Sequence, residues 1–349
     1  MTPLGRLAAW YFFYFAFVGA FSPYFTLYLQ DIGLSAWEIG VLMSVPQVMR
    51  LLAPNLWGWL ADHRGERTPI VRLAALCSVF GFGGFFLTRD YVPMLAAMAL
   101  VWFFWSASLP LVEAMTLDQL RGQPDRYGRI RVWGSIGFVV SVLGIGAMLD
   151  HLPIAALLWV CLGILASVLA SALSLPGGKV GAGGTAAPLG DQLRRPEVLA
   201  LLAACFCMSV AHGPLYVFFS IHLVEHGYDK MAVGLLWSLG VLAEIGVFML
   251  MPRLMRRVSL RVILLASFAL AVLRFLLIGW AADVVALLLF AQVLHGATFG
   301  AGGMIGGLIS GESWGSLGAG VTFTLASACA ACGLVLVWRG LRSASVSTC

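Results

Sequence analysis

The chain has 349 residues, 61% of them hydrophobic and 11% charged, with a formal net charge of +5. Soluble domains carry about 25% charged residues, so a soluble globular domain is excluded. The basic residues sit in short loops between apolar runs and form no continuous basic face, so no nucleic-acid partner is expected.

The first apolar run, about 7–29, is too long for a signal-peptide core and lacks a small-residue cleavage site, so it reads as a membrane span. Further runs follow at about 36–60, 69–88, 93–117, 130–149 and 154–175. A second series lies at about 198–223, 231–252, 260–280, 284–309 and 316–338. Each is near the roughly 20 residues that cross a bilayer, and helices are the element that spans lipid in runs of this kind. Between the two series, 176–196 is rich in glycine and alanine and carries Lys179, Arg194 and Arg195. It reads as a cytoplasmic linker between a six-helix bundle at 1–175 and a second bundle at 197–338, with a tail at 339–349. The fold class is thus all-α and polytopic, a pair of helical bundles with about eleven transmembrane helices.

Basic residues alternate from gap to gap. One set of gaps, with the N-terminal segment, holds fifteen lysines and arginines, and the opposite set holds only Arg89 and Lys230. The positive-inside rule puts the N-terminus and the linker in the cytoplasm. Six of the seven cysteines lie inside apolar runs and read as helix-buried thiols. Cys329 and Cys332 have CxxC spacing, but no neighbours complete a metal tetrahedron, so no metal or other cofactor is expected.

An internal repeat connects the two series. A shift of 194 residues lays Phe25-Thr26-Leu27-Tyr28-Leu29 on Phe219-Ser220-Ile221-His222-Leu223. It also superposes Asp31 on Glu225, Gly33 on Gly227, Gly40 on Gly234, Ser44 on Ser238 and Arg50 on Glu244. Parallel repeats of this kind build carriers that work by alternating access.

The loop after the second run reads Gly58-Trp59-Leu60-Ala61-Asp62-His63-Arg64-Gly65-Glu66-Arg67. It resembles the helix 2–3 signature of the major facilitator superfamily at Gly58, Leu60, Ala61, Asp62, Gly65 and Arg67, and departs from it at His63 and Glu66. The resemblance implies that Asp62 caps and pairs with basic residues, Arg67 among them, to help close the inward side. A closer resemblance, to the branch of phenylpropionic acid permeases, rests on four stretches. These are Tyr127 to Gly137, His212-Gly213-Pro214 with Phe218-Phe219-Ser220, Gly234 to Trp237 with Ala243-Glu244, and Leu294 to Gly300. It runs through about residues 5–300 and then breaks, as though about 30 residues were absent. Leu287 to Ile309 is accordingly expected as one fused helix. The final span would leave Arg339 and Arg342 on the wrong side for the positive-inside rule.

Several polar groups fall inside the apolar runs. Arg50 lies about 18 Å from the cytoplasmic end of its run, Glu244 about 13 Å and Arg274 about 20 Å. His212 and His295 are similarly deep. A charge at such depth costs at least about 2.5 kcal/mol and should face a cavity or a partner. Glu244 is the leading proton carrier, and pairing with Arg274 would tune it; a static ion pair is the competing reading. His212 and His295 are candidate proton relays, or else packing histidines. Arg50 and Arg274 are candidates for a carboxylate substrate, because guanidinium offers a bidentate fork. Tyr11, Tyr14, Tyr24 and Tyr216 could line an aromatic pocket with Gln292. Glu113 and Asp118, facing Arg129 and Arg131, are gating candidates together with Asp62 and Arg67.

The sequence thus reads as a proton-coupled secondary transporter of the bacterial inner membrane, a monomer and not an enzyme. By the family resemblance its substrate is an aromatic carboxylate such as phenylpropionate. Two alternatives remain open. One is a nucleoside or sugar symporter using neutral groups such as Gln47, Asn55 and Gln292. The other is a non-transporting relative, which the break after Gly300 favours.

Overall fold

Backbone polar groups find no water inside a bilayer, so a spanning chain must satisfy them within its own segments. The computed structural model describes residues 2–120, 126–177, 195–298 and 304–340, with the backbone alone for 304–319. The described residues form eleven helices. They are α1 (Pro3–Asp31), α2 (Ala36–Arg64), α3 (Thr68–Leu87), α4 (Tyr91–Leu120), α5 (Tyr127–Leu149) and α6 (Ala156–Leu173). Then come α7 (Pro196–Glu225), α8 (Lys230–Met255), α9 (Leu260–Trp280), α10 (Val285–Thr298) and α11 (Met304–Gly340). Prolines stand inside α1, α2, α4, α7 and α8, as membrane helices tolerate when neighbouring groups satisfy the freed carbonyls.

Ten of the helices contain a segment long and apolar enough to cross a membrane. The remaining one, α10, is described over 14 residues. The expectation of one fused helix from Leu287 to Ile309 falls in part on residues 299–303, which lie outside the described residues; α10 is described to Thr298 and α11 from Met304.

The chain divides into two compact units, Met1–Gly184 with Asp229–Gly234, and Thr185–Tyr228 with Leu235–Cys349. In the first, α1 packs against α5 and α6, α3 against α4 and α6, and α2 against α4. Trp10, Tyr14, Phe17, Phe21 and Phe25 recur at helical spacing along α1, and all are buried. They meet Trp102, Trp105, Phe82 and Phe85 from α3 and α4. Lipid tails are as apolar as leucine, so this joint is held by close packing and not by water exclusion. In the second unit, α11 packs against α7 and α9, and α9 against α10.

The arginine-rich end of the first unit caps its own helices. Arg72 donates to the carbonyls of Ala172, Leu173 and Leu175, and Arg6 to that of Ser174. Cations at a helix C-terminus satisfy its orphan carbonyls and oppose its dipole.

The repeat seen in sequence is also a repeat of local structure. Gly33 and Gly227 both adopt left-handed φ, 88° and 85°, where a side chain is strained. The following N–H closes the same turn in each copy, Leu34 to the Leu29 carbonyl at 3.2 Å and Tyr228 to the Leu223 carbonyl at 3.1 Å. The next helix is then capped at equivalent positions. Ser35 receives the Glu38 N–H and Asp229 the Ala232 N–H, each supplying an acceptor to the exposed first turn.

Helix α1 approaches α5 closely at Gly19, where an added Cβ would stand 2.6 Å from the Phe138 carbonyl oxygen, whereas one at Gly144 would meet nothing within 4 Å. Overpacking costs about 1–3 kcal/mol. Gly19→Ala should therefore lower the thermal unfolding midpoint in detergent, and Gly144→Ala should not. Equal midpoints would show that the α1–α5 approach is looser than described.

Candidate functional site

Each unit brings polar groups together within its helix packing. In the first unit the groups come from α1, α2, α4 and α5. Helical spacing on α4 sets Trp102, Trp105, Glu113 and Thr116 along the length that meets α1. The Arg131 guanidinium lies 4.0 Å from the Phe15 ring centroid, 5.6 Å from that of Tyr11, and 3.8 Å from Glu113. The Tyr127 hydroxyl donates to Glu113 at 3.3 Å, and Tyr11 shares a 3.2 Å hydrogen bond with Thr116. Tyr14 is sandwiched in a stack, 4.7 Å from Trp10 and 4.2 Å from Trp105. Arg50 from α2 is exposed and stands 5.5 Å from the Trp102 ring. It makes no ion pair among the described residues.

In the second unit Arg274 of α9 is 0% exposed. Its Nε donates to the Ala291 carbonyl at 3.1 Å, and its two terminal nitrogens approach Thr298 Oγ1 at 3.4 Å and Gln292 Oε1 at 3.5 Å. Every one of these acceptors is neutral and lies on α10. His212 of α7 and His295 of α10 are buried, with ring centroids 6.3 Å apart. His212 Nδ1 pairs with the Met208 carbonyl at 2.8 Å. That bond fixes the proton on Nδ1 in the neutral ring and leaves Nε2 as the site that gains one. Tyr216 lies 6.3 Å from His212 and stacks 6.1 Å from Trp237.

The pairing of Glu244 with Arg274 expected from sequence does not occur. Arg274 makes no ion pair among the described residues, and Glu244 is not among its contacts. The reason is the seating of α8 on α10. A Cβ at Gly296 would stand 2.7 Å from the Glu244 backbone nitrogen, and one at Gly240 would stand 3.2 Å from the His295 ring. Glu244 follows α8 while Arg274 is drawn to the oxygens of α10.

The gating candidates separate into partners and bystanders. Arg67 pairs with Asp118, and Arg131 with Glu113. Asp62 is exposed, as is Arg129, and neither makes an ion pair among the described residues. The left-handed turn at Gly65 (φ 69°) ends α2, and the next basic residue, Arg67, reaches α4 in place of Asp62. Of the neutral candidates, Gln292 is buried, Gln47 half-buried and Asn55 exposed, the last bonded to its own helix at Leu51. Cys205 and Cys332, read from sequence as buried, are exposed at the helix surface. Sequence reading missed Trp102, Trp105, Thr116, Tyr127 and Thr298. The only signal was the three-residue spacing of the two tryptophans, lost among abundant aromatics.

The sequence description of the MFS_1 like family matches residues 4–301. A curated relative from Escherichia coli (strain K12), named "Probable 3-phenylpropionic acid transporter", is 32% identical over 308 residues, which cover 84% of this chain and 78% of that protein. The maltose permease of Geobacillus stearothermophilus is 31% identical over 270 residues, 74% of this chain and 66% of that protein. Among solved structures, a variant of the nucleoside transporter NupG superposes with a TM-score of 0.86 at 13% identity, covering 98% of this chain and all of the other.

Sealing a guanidinium away from water without a carboxylate stabilises nothing, and an apolar isostere at such a site is often neutral or favourable. Arg274→Met should unfold at the parent temperature or above it in detergent. A loss of more than about 3 kcal/mol would mean that Arg274 is there to hold α9 to α10.

Proposed function

The chain belongs to the MFS_1 like family of major facilitator membrane transporters, and from that premise we propose that it imports a small aromatic carboxylate together with a proton. The observation that carries the proposal is Arg274: buried, charged, and hydrogen-bonded only to neutral oxygens among the described residues. A carboxylate is the group that would complete it, since a fork of N–H donors matches two oxygens. Resemblance to a protein named for 3-phenylpropionic acid supports the choice of acid. Arg50, without an ion pair among the described residues, stands beside Trp102 in the first unit, where the Tyr11 and Tyr14 rings suit an aromatic body; in the second unit Tyr216 offers another ring.

In this reading Glu244 carries the coupled proton, with His212 and His295 as relays close to Arg274. The Arg67–Asp118 and Arg131–Glu113 pairs act as gates that break and re-form in the cycle; Asp62 and Arg129 would join them in another state. The basic imbalance between alternate gaps supports an inner-membrane protein with a cytoplasmic N-terminus; in this reading it acts as a monomer.

Equilibrium binding by the purified protein decides among substrates. 3-Phenylpropionate should bind, while uridine and maltose should not; a preference for either neutral ligand would overturn the carboxylate. Arg50→Lys should weaken the acid at least about tenfold, because a point charge cannot replace a fork. Unchanged affinity would remove Arg50 from the site. Glu244→Gln should abolish pH-driven uptake into vesicles and preserve substrate exchange. Proton-driven accumulation that survives this change would exclude Glu244 as the carrier.

A further inference from the structure

The first unit contains three buried indole N–H groups with no acceptor among the described residues. Trp10, Trp102 and Trp105 are each at most 2% exposed, and the Nε1 atom of each lacks a hydrogen-bond partner among the described residues. An indole N–H can only donate. Leaving one buried without an acceptor costs about 1–3 kcal/mol, and more than nine in ten buried backbone groups, with most buried side-chain polar atoms, avoid this cost. Three such donors in one place call for an explanation.

The three rings form one continuous assembly. Trp10 lies 4.7 Å from Tyr14, Tyr14 lies 4.2 Å from Trp105 at an interplanar angle of 9°, and Trp105 lies 6.4 Å from Trp102. At the Trp102 end stands the Arg50 guanidinium, exposed and without an ion pair among the described residues. The local chemistry is therefore three unmatched indole donors, a cation at the Trp102 end and flat aromatic faces, with the Ser106 hydroxyl also unpaired among the described residues. The indole at position 57 makes the contrast, since its Nε1 donates to the Phe103 carbonyl at 3.1 Å.

We propose that the indole N–H groups of Trp102 and Trp105, with Trp10 behind them, are recognition donors for the oxygen acceptors of the transported ligand. This deepens the aromatic-carboxylate reading and rests on it for the choice of probe. The exposed Arg50 is the entry, where the carboxylate meets its charge apart from the Arg274 site, and Trp102 and Trp105 donate to its oxygens. The ring stack supports the ligand's aromatic face. Selectivity follows, because an aromatic compound without an acceptor leaves the same N–H groups unmatched.

The test uses the full chain with Trp102→Phe, Trp105→Phe and the double change, which keep an aromatic ring and delete the donor. Hydrogen bonds to charged groups are worth about 1.5–3 kcal/mol, or about 10- to 100-fold in affinity. Each single variant should weaken 3-phenylpropionate at least tenfold and change propylbenzene, which has no hydrogen-bond acceptor, less than twofold. Their thermal midpoints should equal or exceed the parent's, since each loses an unsatisfied donor. Parent-like affinity for the acid in all three variants would overturn the inference and leave the carboxylate reading standing. If the parent binds uridine or maltose and not the acid, the carboxylate reading fails. The same variants, titrated with that ligand, then decide the donors: a tenfold loss keeps them and no change removes them. A parent that binds none of these ligands overturns the donor assignment.

Discussion

Arg274 is a full positive charge with no exposure and no anionic neighbour among its described contacts. Desolvating an ion costs several kcal/mol even after the protein relaxes, and inside a bilayer such residues line substrate or ion pathways. Three neutral oxygens from α10 hold the guanidinium in place without neutralising it. The buried His212 and His295 rings, 6.3 Å apart, lie in the same unit. Glu244 belongs to α8 and makes no ion pair with Arg274.

The first unit solves a different problem with different residues. Its centre is aromatic, and its cations lie over rings instead of in a ladder of ion pairs. Arg131 rests on Phe15 with Glu113 at its edge, and Arg50 lies over Trp102. The repeat that relates the two series places Arg50 and Glu244 at equivalent positions. One ancestral helix position thus carries a cation in one unit and a carboxylate in the other. The turn before it is unchanged, down to the left-handed glycine and the cap that follows.

The helical, membrane-spanning character was legible because long apolar runs leave a chain few other choices. The repeat was legible for a related reason: Gly33 and Gly227 are required by a backbone conformation, so identity at those positions reports structure directly. Partner choice was not legible. Depth along a helix placed Glu244 and Arg274 near each other, but which face meets which neighbour depends on close approaches such as Gly296 against α8. The loop signature suggested Asp62 as a pairing residue, yet the turn at Gly65 delivers Arg67 to Asp118 instead. Trp102 and Trp105 escaped notice because burial, and not residue type, distinguishes them from the exposed tryptophans at 37, 59 and 133.

The most direct measurement is uptake of labelled 3-phenylpropionate by proteoliposomes with an inward proton gradient, compared with protein-free vesicles. The account predicts accumulation above the protein-free level that collapses on adding a protonophore and is competed by unlabelled acid but not by uridine or maltose. Uptake equal to that of protein-free vesicles, or protein-dependent uptake indifferent to the proton gradient, would contradict it.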